Sequence, residues 1–228
     1  MGKFEYFWLS HEIDQHAPSY GNRDRFENSL NTSFQSGAAA ETSNWKFSNN
    51  HIGTHVDAPS HFIKDGLTIS DFPASFWVFG SISVLEIDVS IGELITPEMI
   101  DFSRIPNGVE IILLKTNFEK VRLEKQYWES NPGIHPSLGT FLRSRFESLR
   151  CIGFDFISVT SFSHRVIGKE AHLSLLAGKK PLIPIEDMKL SQISASHKIS
   201  EVTVLPIRVK SENGAPVSII AKIETIDQ

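Results

Sequence analysis

The segment His51-Ile-Gly-Thr-His55-Val-Asp57-Ala-Pro-Ser-His61 packs three of the chain's nine histidines and one aspartate into eleven residues. Neutral imidazole nitrogens and a carboxylate oxygen together bind a borderline divalent cation at about 2.0–2.2 Å. The single cysteine, Cys151, excludes a thiolate-rich site, which leaves zinc and manganese both as expected cations on these residues. His51, His55, Asp57 and His61 all have odd numbers, so an extended chain would point them to one face. A straight strand, however, would spread them over about 33 Å. A helix through His51 and His55 is disfavoured by Gly53, Thr54, Val56 and Pro59. Gly53 and Pro59 let the backbone turn back on itself, and the expected geometry is a bent loop converging His, His and Asp on one point. Thr54 and Ser60 are expected to supply hydroxyls that orient the ligands. In the alternative reading, a polar loop whose histidines only make hydrogen bonds, a crowd of imidazoles around a carboxylate would be hard to satisfy.

Two further residues carry chemistry downstream. His172 sits in the helical stretch 168–177, and Glu186 closes the apolar run Leu182-Ile-Pro-Ile185. An acidic residue at the end of a buried strand, next to a helical histidine, can face a site at that strand's end. His164 is a weaker candidate. His11, His16, His135 and His197 read as surface or loop residues.

The elements that must position these groups are short. Strands are expected over 81–89, 109–115, 151–158, 182–186, 202–209 and 217–223, with a hairpin turn at Asn213-Gly214 between the last two. Thr96-Pro97 opens a short helix through Met99. A longer helix over 137–150 has Leu138, Phe141, Leu142, Phe146 and Leu149 on one face, and the helix at 168–177 stops at Gly178. Residues 18–50, polar and rich in asparagine, read as a long surface loop. The pattern is mixed α/β in a single domain.

Composition narrows the partners. At 228 residues with 40% hydrophobic and 21% charged side chains, the chain can bury a proper core. Its net charge of −5 comes without a basic run, which argues against nucleic acid. No segment reaches the ~20 apolar residues that span a bilayer. Glu5 interrupts any secretory apolar region and Tyr6 misses the myristoylation pattern, so a cytoplasmic protein is expected. Cys151, in an apolar stretch, reads as a buried inert thiol.

The run His-x-Gly-Thr-His-x-Asp-x-Pro-x-His resembles the signature of the cyclase-like metal-dependent hydrolases, which include bacterial kynurenine formamidase and isatin hydrolase. Leu9-Ser10, Ile111-Leu-Leu-Lys-Thr116, Gly153-Phe-Asp-Phe-Ile-Ser158 and the His172…Ile185-Glu186-Asp187 segment resemble other stretches of that family. The resemblance implies a swivelling β/β/α-type single domain over residues 1–228, mixed sheets with few short helices, and a homodimer. It implies that His51, His55 and Asp57 hold one ion. His61, His172 and Glu186, with Asp57 as a bridge, would hold a second or act as acid and base, so that one or two ions bind per chain. Departures lie at Ser158–Arg165, where kynurenine formamidases have Ser-x-Asp, at Asp187 in place of Asn, and in the 18–50 stretch.

The activity implied is hydrolysis of a small-molecule amide, arylformamidase-like, by metal-activated water. His61 or His172 would move the proton and Glu186 would orient the imidazole. Trp8, Tyr20, Phe62, Phe72 and Trp77 are candidates to line an apolar pocket. A lactam hydrolase of the isatin hydrolase type, or a catalytically silent metal-binding protein, are the alternatives.

Overall fold

A computed structural model describes residues 3–225. The ends of the domain expected over 1–228, including the start of the N-terminal targeting pattern, lie outside the described residues. Thirteen strands and three helices follow in order: β1 (Lys3–Trp8), β2 (Phe26–Thr32), β3 (Thr42–Phe47), β4 (His55–Asp57), β5 (Val78–Phe79), β6 (Ile82–Glu86), β7 (Leu94–Ile95), β8 (Ile111–Lys115), α1 (Lys125–Glu129), β9 (Gly133–Ile134), α2 (Pro136–Arg145), β10 (Cys151–Phe154), α3 (Gly168–Leu176), β11 (Ile183–Glu186), β12 (Ile199–Pro206) and β13 (Gly214–Thr225).

Nine strands form one mixed sheet in the order β5-β12-β13-β4-β11-β10-β8-β6, with β1 also on β13. One half is parallel: β6, β8, β10 and β11 run side by side. Their apolar runs Ile111–Leu114 and Cys151–Phe154 are buried throughout, as strands covered on both faces require. The other half is antiparallel, built from β1, β13, β12 and β5. Three-residue β4 joins them, antiparallel to β11 on one side and to the start of β13 on the other. Leu138 and Leu142 of α2 and Leu175 and Leu176 of α3 are buried in the main core, each contributing about 1.5–3 kcal/mol relative to exposure. The mixed α/β architecture with few short helices is as expected. Among the described residues, no helix is long and apolar enough to cross a membrane.

The structure corrects several local expectations. Residues 18–50 are not one long loop: β2 and β3 pair as an antiparallel hairpin, from Phe26↔Phe47 to Thr32↔Thr42. Both faces of this arm are largely exposed, with Leu30 and Trp45 open to solvent, so no apolar alternation marks it as strand. Its root is buried, where Phe26, Ala17 and Ile52 pack with Ile13 and Phe47. The helix expected to reach residue 150 ends at Arg145 because Phe146 turns extended at φ −122°, ψ 100°; Phe146 and Leu149 are buried from beyond it. His135, expected in a loop or at the surface, lies in the connection before that helix and caps it by accepting from the Ser137 amide at 3.2 Å. Residues 97–99 make only a 3-10 turn. The β12–β13 connection bends in the left-handed region at Ser211 (φ 63°), not at Asn213-Gly214.

Candidate metal centre

β4 places the first ligands by register alone. Successive side chains on a strand alternate, so His55 and Asp57 share one face while Val56 is buried in the core behind them. His55 lies opposite Glu186 of β11, and Asp57 lies opposite Gly214 of β13. Before β4 the chain turns at Gly53, φ 67°, a conformation glycine adopts without strain, and His51 swings back over Asp57. After β4, Pro59–His61 forms a 3-10 turn that returns His61. The expected bent path is thus a short strand flanked by two turns. α3 brings His172 to the same place from the far side of the chain.

All six residues line one cavity of about 290 Å³. His51 Nε2 is 3.2 Å from Asp57 Oδ1, His55 Nε2 is 3.6 Å from the same oxygen and 3.2 Å from Glu186 Oε2, and His172 Nε2 is 3.6 Å from Asp57 Oδ2. Two groups of ligand atoms lie within 4.8 Å of one another: His51, Asp57 and His61, and Asp57, His172 and Glu186. Asp57 belongs to both. His55, expected beside His51 in the first group, sits between Asp57 and Glu186.

Main-chain carbonyls aim two of the four imidazoles, and a side-chain amide a third. His55 Nδ1 meets the Gly53 carbonyl and His172 Nδ1 the Gly168 carbonyl, each at 2.8 Å. His51 Nδ1 meets Asn49 Oδ1 at 3.0 Å. A carbonyl oxygen only accepts, so each Nδ1 carries the proton and each Nε2 faces the cavity. Thr54 and Ser60 do not orient these ligands. Thr54 Oγ1 instead donates to the Asp187 carbonyl at 2.6 Å and accepts from the His11 amide, stitching β4 to β11, while Ser60 Oγ is buried without a partner.

Glu186 is anchored by the Val159 amide at 2.8 Å and by Ser158 Oγ at 3.3 Å. Behind it, Asp187 adopts φ 55°. Its fully buried carboxylate takes two hydrogen bonds from Arg122, at 2.8 and 2.6 Å, and one from Tyr127 Oη at 2.6 Å. A bidentate guanidinium and a phenol suffice to satisfy a buried charge.

The electrostatics of the cation-free site follow from burial and proximity. Burial alone would lower His55, but the hydrogen bond and charge of Glu186 and the charge of Asp57 raise it to about 9. His172 is likewise raised by Glu186 and Asp57 against its burial. Burial would push Asp57 up, yet His51, His55 and His61 hold it below the ordinary carboxylate range. Glu186 is lowered by His172 and His55 against burial and the charge of Asp57. His61 is lowered, chiefly by burial.

These residues fit a divalent cation. His51 Nε2 and Asp57 Oδ1 are both buried and neither has a hydrogen-bond partner. When the His51 ring is neutral with its proton on Nδ1, the pair is two acceptors facing one another, which a divalent cation satisfies.

Of the aromatic residues expected near the site, Tyr20 and Phe62 line the cavity. Phe62 stacks on His172 at 4.0 Å. Trp8 lines a separate groove, and Phe72 and Trp77 another. His16, His164 and His197 are exposed. His11 is half-buried with Nε2 unpartnered, and Cys151 is fully buried with its thiol pushed up by burial. Arg23, Asp24 and Asn49 also line the cavity; nothing in their spacing signalled it, because the hairpin root that carries them reads as loop.

Fold and site together define a mixed-sheet protein with a shared-carboxylate His/Asp/Glu centre. The Cyclase family model, described as "Putative cyclase", matches residues 7–161, and the chain belongs to that family. It is similar to an uncharacterised protein of Haemophilus influenzae, 36% identical over 110 residues, covering 47% of this chain and 78% of the relative. A kynurenine formamidase of Bacillus cereus is 29% identical over 173 residues, covering 75% of this chain and 76% of that protein. Among solved structures, isatin hydrolase A from Labrenzia aggregata shares the fold with a TM-score of 0.72 at 22% identity, over 97% of this chain and 94% of its own.

Proposed function

We propose that this protein hydrolyses the C–N bond of a small amide, of the arylformamide type, at a divalent-cation centre held by His51, His55 and Asp57, with His61, His172 and Glu186 either holding a second cation or serving as its acid and base groups. The observation that carries the reading is the buried face-to-face pair of acceptors, His51 Nε2 and Asp57 Oδ1. The kinship with a kynurenine formamidase supports the choice of amide. When bound, zinc or manganese supplies Lewis acidity toward water and toward a carbonyl oxygen at neutral pH.

The chain's own groups do the rest. Asp57 has Oδ1 near His51 and Oδ2 near His172 and belongs to both sets of ligand atoms, so this single carboxylate would help hold either one ion or two. His61 stacks on His51 at 4.2 Å. Lowered by burial, it is a neutral acceptor at pH 7. In that role His61 takes the proton of the attacking water and returns it to the leaving nitrogen as the C–N bond breaks, giving a carboxylate and an amine. His172, held by Gly168 and backed by Glu186, is the second group placed to move that proton. The ring of Phe62 on His172 keeps water from that face.

The test is metal analysis of the purified protein with a panel of aryl formamides, lactams and esters, repeated on Asp57→Asn. One or two divalent ions per chain and formamide turnover are expected, the turnover falling about a thousandfold in the variant. An Asp57→Asn protein that hydrolyses formamides at the parent rate overturns the reading. Faster opening of a lactam than of any formamide moves the substrate to the cyclic amides.

A further inference from the structure

The part of the cavity wall that the metal chemistry does not use comes from the root of the hairpin arm. Arg23 lines the cavity, and among the described residues its guanidinium has no hydrogen bond or ion pair. The loop that carries it is tied down. The Asp24 amide donates to Ser19 Oγ at 2.9 Å, the Asn22 amide to the Ser19 carbonyl at 2.7 Å, and Arg25 Nη1 to the Asn22 carbonyl at 2.8 Å. Gly21, at φ 64°, lies between the Arg23 side chain and the Phe162 ring: a Cβ there would stand 3.2 Å from Arg23 Nε and 3.2 Å from the ring.

Among the described residues the neighbouring carboxylate makes no ion pair with this cation. Asp24 Oδ1 accepts from Ser48 Oγ at 3.1 Å and Oδ2 from Asn49 Nδ2 at 3.2 Å, so both oxygens are engaged by the returning strand. Tyr20, on the same loop, packs against Phe162 with ring centroids 5.5 Å apart. Its hydroxyl is buried without a well-formed hydrogen bond. Burial raises the phenol against the charges of Arg165 and Arg23, which keeps it a neutral donor. An exposed guanidinium fork without a hydrogen bond or ion pair among the described residues, carried on a tied-down loop and lining a substrate-sized cavity, matches a carboxylate.

We propose that Arg23, assisted by the Tyr20 hydroxyl, determines specificity by receiving a carboxylate of the substrate, so that the molecule hydrolysed is a small amide carrying an anionic group apart from its scissile bond. This inference rests on the amide-hydrolase reading of the site.

The experiment uses two matched aryl amides that differ in one ring substituent, a carboxylate in one and a carboxamide in the other, with metal-loaded parent, Arg23→Met and Arg23→Lys proteins. Calorimetry on the corresponding non-scissile ketones measures binding apart from turnover. The parent is expected to favour the anionic member by about tenfold or more. That preference collapses toward unity in Arg23→Met, mainly through KM, and is partly restored in Arg23→Lys. Should Arg23→Met fail to fold, Tyr20→Phe, which keeps the ring on Phe162, gives a smaller loss of the same preference. A parent without preference, or an Arg23→Met protein that keeps it, overturns the inference. If neither amide is hydrolysed while the anionic ketone binds in an Arg23-dependent way, the hydrolase reading falls and the anion site stands. Hydrolysis of both without discrimination gives the reverse.

Discussion

His51 Nε2 and Asp57 Oδ1 lie 3.2 Å apart in a buried space, each without a hydrogen-bond partner. With the His51 ring neutral, two lone pairs held together in this way cost stability that a divalent cation recovers, so metal and fold are linked. Zinc or manganese at a hundredfold excess over Kd contributes about 2.7 kcal/mol and is expected to raise Tm by roughly 5–10 °C for a chain of this size. Thermal unfolding before and after chelation checks this; an unchanged Tm would show that the pair is satisfied some other way.

The protonation of His55 predicts how the metal binds. At about 9 in the cation-free protein, His55 is charged at pH 7, and its Nε2 must lose a proton before it can coordinate. Metal uptake at pH 7 therefore releases a proton from this ring, and apparent affinity falls by about tenfold per pH unit below 9 for each proton displaced. Calorimetry in two buffers of different ionisation enthalpy measures the release, which should vanish above pH 9. In the metal-free protein the sign for stability is the other side of this linkage. The folded value lies above the ordinary 6.5, so the contribution of His55 is complete below pH 6.5 and is lost as pH rises through 9.

Gly214 sets the position of His51. A Cβ at residue 214 would collide with the His51 imidazole, and β13 pairs Gly214 directly with Asp57. Gly214→Ala is expected to displace the ring and weaken metal binding at least about tenfold, while overpacking costs about 1–3 kcal/mol. Chelator competition gives the affinity. Equal loss of stability with and without metal would mean that the substitution disturbs only the strand.

Asp155, away from the centre, supplies a second pH signature. Its Oδ1 accepts from the Thr116 amide and hydroxyl at 2.9 and 2.6 Å, and Oδ2 is buried without a partner. Burial raises it to about 6, against the pull of Thr116. A carboxyl raised in this way favours the fold fully below pH 3.8 and ceases to as pH rises through 6, a change of roughly 3 kcal/mol. Asp155→Asn keeps the acceptor and removes the titration. Denaturant melts between pH 4 and 7 should show the parent losing stability relative to the variant over that window; parallel profiles would refute the assignment.

What the sequence disclosed follows from which signals are local. The His51–His61 run is legible because ligand types are crowded at short spacing, and β8, β10 and β11 because a strand covered on both faces must be apolar throughout. His172 and Glu186 are weak signals separately; only the fold brings them to Asp57. The β2–β3 arm has no buried face, so polar residues such as Asn28 and Asn44 conceal a hairpin. Gly214 looks like a turn residue beside Asn213, whereas its missing side chain serves His51, 163 positions earlier in the chain. Thr54 reads as a ligand-orienting hydroxyl because it sits among ligands; its bond to the Asp187 carbonyl exists only once β4 and β11 pair.

The carbonyls of Gly53 and Gly168 that aim His55 and His172 belong to the main chain, which no side-chain replacement deletes. The direction of those imidazoles is therefore insulated from mutation in the surrounding walls. Wall residues that do not touch either imidazole, such as Arg23, can be exchanged to admit a different guest without re-aiming either ring. A scaffold wired this way lets selectivity diverge while its reactive geometry is inherited intact.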